Sequence, residues 1–218
     1  MALTTVHLVR HGEVLNPYGV LYGRQPGWHL SPLGVTMAER AGAYLSTFPL
    51  AHLRCSPLER AQETMAPIAA HHPGLEVVTD ERLTEAGNVF EGQVFGPRHD
   101  ALRKPAAWRY FRNPLRPSWG EPYVAIAARM GAAIADAAAA VGPGGEALIV
   151  SHQLPIWIAR LSAEGRRLFH DPRHRQCSLA SVTSLSFSGS TLVRVQYAEP
   201  AKDLLPDKDR NKPFSTGK

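Results

Sequence analysis

Cysteine is scarce in this chain. Cys55 and Cys177 are the only two in 218 residues, which excludes a disulfide-built scaffold and fits a reducing compartment, so a cytoplasmic location is expected. Long hydrophobic runs are lacking too: none is read as approaching the about 20 residues of a membrane helix, and no membrane partner is expected. The opening Met1-Ala2-Leu3-Thr4-Thr5-Val6 has no basic segment, and Arg10-His11 follow too soon for a secretory leader. Repeats are missing, and so are low-complexity blocks beyond the alanines. A hydrophobic content of 44% with 20% charged residues excludes a disordered chain. Gly142-Pro143-Gly144-Gly145 lacks the Lys-Ser/Thr of a phosphate loop, so it is not read as a nucleotide site. His170 and His174 have metal-like spacing, but Pro172 denies them a shared helical face. Neither a metal nor another cofactor is expected.

Positive charge, by contrast, is present and localised. The 24 Lys and Arg against 19 Asp and Glu leave a net charge of +5. Residues 98–116 hold six basic residues and one acid, Asp100, while 160–175 hold five basic residues and two acids. Such clustering favours an anionic partner, phosphate esters or nucleic acid, or else marks a solvated basic face.

Short apolar segments alternate with helical ones. Strands are predicted at 3–9, 51–55, 75–79, 147–150, 179–187 and 191–197. Ser31-Pro32 has the form of a helix cap followed by proline at the first helical position, opening a helix to about Phe48. Ser56 with Glu59 has the spacing of a capping box for a helix to about Ala70. An alanine-rich helix is expected from Pro122 to Val141, ended by the glycines, and another from Pro155. The fold class is therefore α/β, a three-layer α/β/α sandwich around a mainly parallel sheet. Residues 1–198 are read as a single domain. Residues 82–120 would be an irregular insertion or lid with a short helix near 105–111, and 199–218 a polar, flexible tail.

Ligands in such sheets gather beyond the carboxyl ends of the strands. Arg10-His11-Gly12 ends the first strand, Ser151-His152-Gln153 ends another, and Arg60 lies in the helix after the second. Two histidines and two arginines would thus converge on one anion site.

At this point the chain resembles the histidine phosphatase superfamily, the phosphoglycerate mutase-like family. The resemblance is carried by Leu8-Val9-Arg10-His11-Gly12-Glu13, Leu30-Ser31-Pro32-Leu33-Gly34, Ser56-Pro57-Leu58-Glu59-Arg60-Ala61-Gln62-Glu63-Thr64, Leu83-Thr84-Glu85, Phe90-Glu91-Gly92 and Val150-Ser151-His152. It implies a phosphoglycerate mutase-like fold and a catalytic set of His11, Glu85 and His152. His11 would be the nucleophile, attacking as a neutral imidazole to give a phosphohistidine. Arg10, Arg60 and His152 would hold the phosphoryl oxygens. Glu85 would be the general acid and base, with Glu81 and Glu91 as competitors for that role. Asn16 and the backbone of Gln153 are further phosphate-binding candidates, and Tyr22, Gly23 and Arg24 substrate-binding ones. Trp28, Arg98, Trp108 and Arg112 are candidates for the pocket mouth. Gly12 would allow close backbone approach.

The expected activity is hydrolysis of a small phosphomonoester. A cofactor-dependent mutase is the alternative, and a non-catalytic module binding nucleic acid or another anion the third reading.

Overall fold

Strand alternation divides the core between two faces of one sheet. In β1 (Thr4–Arg10), Val6 and Leu8 enter one apolar cluster while Val9 enters another; in β4 (Glu146–Ser151), Ala147 and Ile149 part from Leu148 and Val150 in the same way. The structure is a computed structural model that describes residues 2–94 and 120–205. The short helix expected near 105–111, the candidates Arg98, Trp108 and Arg112, and the tail from residue 206 lie outside the described residues.

The remaining elements are α1 (Pro32–Leu45), β2 (Leu50–Cys55), α2 (Glu59–Ala70), β3 (Val77–Thr79), α3 (Tyr123–Val141), α4 (Gln153–Ala163), β5 (Val182–Ser188) and β6 (Thr191–Ala198). The sheet order is β3-β2-β4-β1-β5-β6. The first four strands pair in parallel, and β5 and β6 join antiparallel. Helices α1 and α2 close one face with Leu45, Ala61, Met65 and Ile68; α3 and α4 close the other with Ile126, Met130, Ala133, Ile156 and Ile158. This is the expected three-layer sandwich. Each fully buried Leu or Ile contributes about 1.5–3 kcal/mol, so the two clusters hold the layers together without covalent ties.

Several local expectations need correction. Helix α3 is 19 residues long and apolar enough to meet the length and composition of a membrane span, contrary to the expectation of no such run. In this fold its inner face is core, and Arg129 and Asp136 on it pair with Glu121 and Arg82. Helix α4 begins at Gln153 rather than Pro155, with His152 as its cap residue. Strand β5 starts at Val182, because Ala180 turns the chain with φ of 53°. Beyond β6, Ala201 and Leu205 are buried beside Met37, Leu179 and Ala180, so this part of the expected tail is packed. Apolar side chains there outweigh the polar composition.

The sheet order positions the site. Strands β1 and β4 are neighbours, with Arg10 opposite Ser151, yet β1 leads into α1 on one face and β4 into α4 on the other. A crevice opens where the crossovers diverge, at the strands' carboxyl ends.

Candidate active site

His11 and His152 leave adjacent strand ends and meet with ring centroids 5.1 Å apart. His11 is 2% exposed. Its Nδ1 lies 2.7 Å from the Gly12 carbonyl; a carbonyl can only accept, so Nδ1 carries the proton and Nε2 the lone pair of the neutral ring. Burial, then the Arg60 and Arg10 charges, hold the His11 pKa well below its ordinary value against that hydrogen bond. His152 is fully buried and neutral for the same first reason, aided by Arg60 and His11.

Ser56 does not close the expected capping box. Leu58 is the cap residue of α2 and makes no side-chain cap. The Ser56 hydroxyl lies 2.8 Å from His152 Nε2 and accepts from the Leu58 N–H at 3.4 Å. With the hydroxyl donating to Nε2, the His152 ring carries its proton on Nδ1; in either tautomer that buried Nδ1 has no hydrogen-bond partner among the described residues. Arg60, 0% exposed, is similar. Its Nη2 donates to Gly23 O at 2.7 Å and its guanidinium lies 4.7 Å from the Tyr22 ring centre, but Nε and Nη1 are unsatisfied among the described residues. Arg10 Nη1 donates to Cys177 O at 2.7 Å. Buried donors without acceptors cost free energy, and an anion among them would supply the acceptors.

Glu85 lines the same cavity of about 400 Å³ as Arg10, His11, Asn16, Tyr22, Gly23 and Gln153. Burial raises its carboxyl pKa, opposed by the Ala86 N–H at 2.8 Å and by Arg60, Arg10 and Arg175. A carboxyl biased toward its protonated form thus shares a pocket with an imidazole biased toward its neutral form. Such a pair can pass a proton one way while a nucleophile acts the other.

The sequence profile of the histidine phosphatase superfamily (branch 1) matches residues 6–199. The chain belongs to that superfamily. An uncharacterized protein of Mycobacterium tuberculosis is 54% identical over 198 residues, covering 91% of this chain and 97% of that protein. Among solved structures, a mycobacterial glucosyl-3-phosphoglycerate phosphatase is 25% identical, with a TM-score of 0.71 over 89% of this chain and 97% of its own. A phosphoglycerate mutase from Bacillus anthracis shares the fold at 20% identity and a TM-score of 0.71, over 91% of this chain and 93% of its own.

This superfamily member departs from the sequence expectations at several candidate residues. Asn16 lines the cavity, but its amide is engaged in its own loop, donating to Val20 O and accepting from Val20 N, each at 2.9 Å. Arg24 is not among the described lining residues. Its Nε holds Glu85 O at 2.6 Å and its Nη2 holds Glu121 at 2.8 Å, so it braces the loop that carries Glu85. Gly12 is needed against protein rather than ligand: a Cβ there would lie 2.4 Å from Gly34 O, where α1 begins. Gly23 is in the left-handed region at φ +45°, and a Cβ would strike the Glu91 side chain. Gln153 lines the cavity and donates through Nε2 to Cys177 O at 3.3 Å. Cys177 and Cys55 are buried thiols whose pKa values burial pushes up, to about 11 for Cys177.

Sequence reading missed three residues. Arg129 donates from Nη1 to Arg82 O and to Thr84 O (2.8 Å for the second) and pairs with Glu121, fixing the backbone on either side of Leu83 just before Glu85. Glu121 joins Arg24 and Arg129 into one clamp. Arg175 enters the cavity from the loop before β5. The signal for it was the basic cluster at 160–175, which gives no hint which of its arginines faces inward.

Proposed function

We propose that this chain is a phosphatase that hydrolyses a small phosphomonoester through a phosphohistidine on His11. The observation that carries the reading is the His11 tautomer: a neutral ring held by the Gly12 carbonyl, with the Nε2 lone pair in a pocket of cationic and N–H donors. Nε2 attacks phosphorus in line as the bond to the leaving oxygen breaks. Protonated Glu85 gives its proton to that oxygen. Its carboxylate then takes a proton from the water that attacks phosphorus from the leaving-group side. The P–N bond breaks, phosphate leaves, and His11 and Glu85 are restored. Arg10, Arg60 and the Nδ1–H of His152 hold the non-bridging oxygens, where negative charge gathers in the transition state. The N-terminus of α4, opening at Gln153, adds its positive end.

Rapid acid or alkaline quenching with a radiolabelled phosphomonoester is expected to trap a label that is acid-labile, alkali-stable and seated on His11. His11→Ala should carry no label while keeping its circular dichroism spectrum. Failure to trap any label, or a label retained by the variant, would end the proposal. The shared fold with a phosphoglycerate mutase motivates one second assay, 3-phosphoglycerate with a trace of the bisphosphate. Fast isomerisation with little free phosphate would replace hydrolysis by group transfer.

A further inference from the structure

We infer that Arg175, with the Tyr123 hydroxyl beside it, binds a second anionic group, carboxylate or phosphate, at the non-reacting end of the substrate. The inference rests on the phosphatase reading for what the reacting end is. For the presence of an anion-binding end it rests on Arg175 itself.

Two arginines line the cavity. Arg10 and His11 reach it from the end of β1, and Arg175 from the loop before β5, with Tyr123 of α3 and Leu154 of α4 also in its lining. Arg175 follows the turn Pro172–His174, which Asp171 caps by accepting from Arg173 N. Its Nε donates to His170 Nε2 at 2.8 Å. The tautomer of His170 allows this, because its Nδ1 donates to Leu168 O at 2.7 Å and leaves Nε2 with the lone pair. His170 is held in turn, stacked on Tyr123 at 5.4 Å and against Trp157 at 6.0 Å. With Nε so anchored and the Tyr123 hydroxyl accepting from the guanidinium, the remaining N–H groups of the fork are the donors left for the cavity.

What Arg175 lacks is an acid. No carboxylate among the described residues lies within 4.0 Å of it, whereas its chain neighbour Arg173 pairs with Asp171 at 2.6 Å. Glu85 acts on it only through space, and neither acid of the cavity forms an ion pair with it. Glu121 is taken by Arg24 and Arg129, and Glu85 bonds the Ala86 N–H. A half-buried, pre-oriented guanidinium with no acid partner suits a carboxylate or phosphate brought in by a ligand. A volume of about 400 Å³ accommodates a small bifunctional molecule.

The test is equilibrium binding of non-hydrolysable phosphonates by calorimetry: 4-hydroxybutylphosphonate, 4-phosphonobutanoate and butane-1,4-diphosphonate. The wild-type protein is expected to prefer one or both doubly anionic compounds over the hydroxyl compound by about ten- to a hundred-fold. Arg175→Gln should bring that preference to within a few-fold, and whichever compound loses more identifies the second group. Equal wild-type affinities would overturn the inference, as would a preference that survives in Arg175→Gln. A loss shared equally by all three compounds would also overturn it, since Arg175 would then act through Glu85 or the loop. Parallel turnover of 3-phosphoglycerate against glycerol 3-phosphate separates the two readings. Selective binding without phosphate release sustains the Arg175 assignment and removes only the hydrolytic one.

Discussion

Two groups of arginines lie on the carboxyl side of this sheet, and they are treated in opposite ways. Arg54 and Arg82 share Asp80, each at 2.7 Å, and Asp136 adds a further oxygen 2.8 Å from Arg82. Arg60 keeps two buried nitrogens without acceptors, and Arg175 has no acid partner, both among the described residues. The first group is complete as structure: its charges are matched by two aspartates. The second leaves cationic donors without a carboxylate beside them, an arrangement that lowers stability where the donors are buried. The histidines repeat the contrast. His7 on β1 is bonded at both ring nitrogens, to Ser184 and Glu146, at 2.8 and 3.0 Å, while among the described residues His11 is bonded at Nδ1 alone and His152 at Nε2 alone.

The two groups should fail differently when altered. Arg60→Met is expected to lower kcat/KM for p-nitrophenyl phosphate by roughly a hundred- to a thousand-fold. Its unfolding free energy should stay within about 1 kcal/mol of the wild type or rise, because a desolvated charge is removed. A large loss of stability with activity intact would erase the distinction. Glu85→Gln should lower kcat for an alkyl phosphate by about a hundred-fold and remove the alkaline limb of the pH profile. The sign follows from the raised carboxyl pKa: the proton-donating form is present at low pH and lost as pH climbs through that value. Because His11 is held neutral well below its ordinary pKa, no acid limb near 6.5 should accompany it. An alkaline limb unchanged in the variant would assign it to another group.

Asp80→Asn sharpens the comparison from the other side, with the smallest effect on activity. Burial alone would raise the Asp80 pKa, but hydrogen bonds from Arg82 and Arg54 outweigh it and hold the carboxyl at about 2. A depressed carboxyl contributes stability in full above its unfolded pKa of about 4 and loses it as pH falls toward about 2. The variant should therefore be less stable by about 1–3 kcal/mol at pH 7 in urea unfolding. The difference from wild type should close across that acid window, with turnover nearly unchanged.

Which parts of the site could be seen without coordinates depended on how local their cause was. Arg10-His11-Gly12 and Ser151-His152 were legible because each sits where an apolar strand stops and a polar tripeptide begins. Ser31 was legible because a cap acts within its own turn, and it does accept from Gly34 N at 3.0 Å. Ser56 was misread for the complementary reason. Its sequence neighbours satisfy a capping rule, yet its hydroxyl answers to His152, 96 positions along the chain. Arg24 and Asn16 stand in the expected stretch, but their side chains serve the loops around them. Arg129 sits within an alanine-rich helix whose pattern says only that it is a helix.

The sequence by itself determined the alternation of strands and helices, the residue types at two strand ends and the superfamily. Those depend on patterns of a few residues, where periodicity and chain stiffness decide. Only the tertiary structure decided which cations are matched by carboxylates and which are left facing a cavity. Pairing is a matter of a few ångströms between segments far apart in the chain, and charge in a sequence carries no distance.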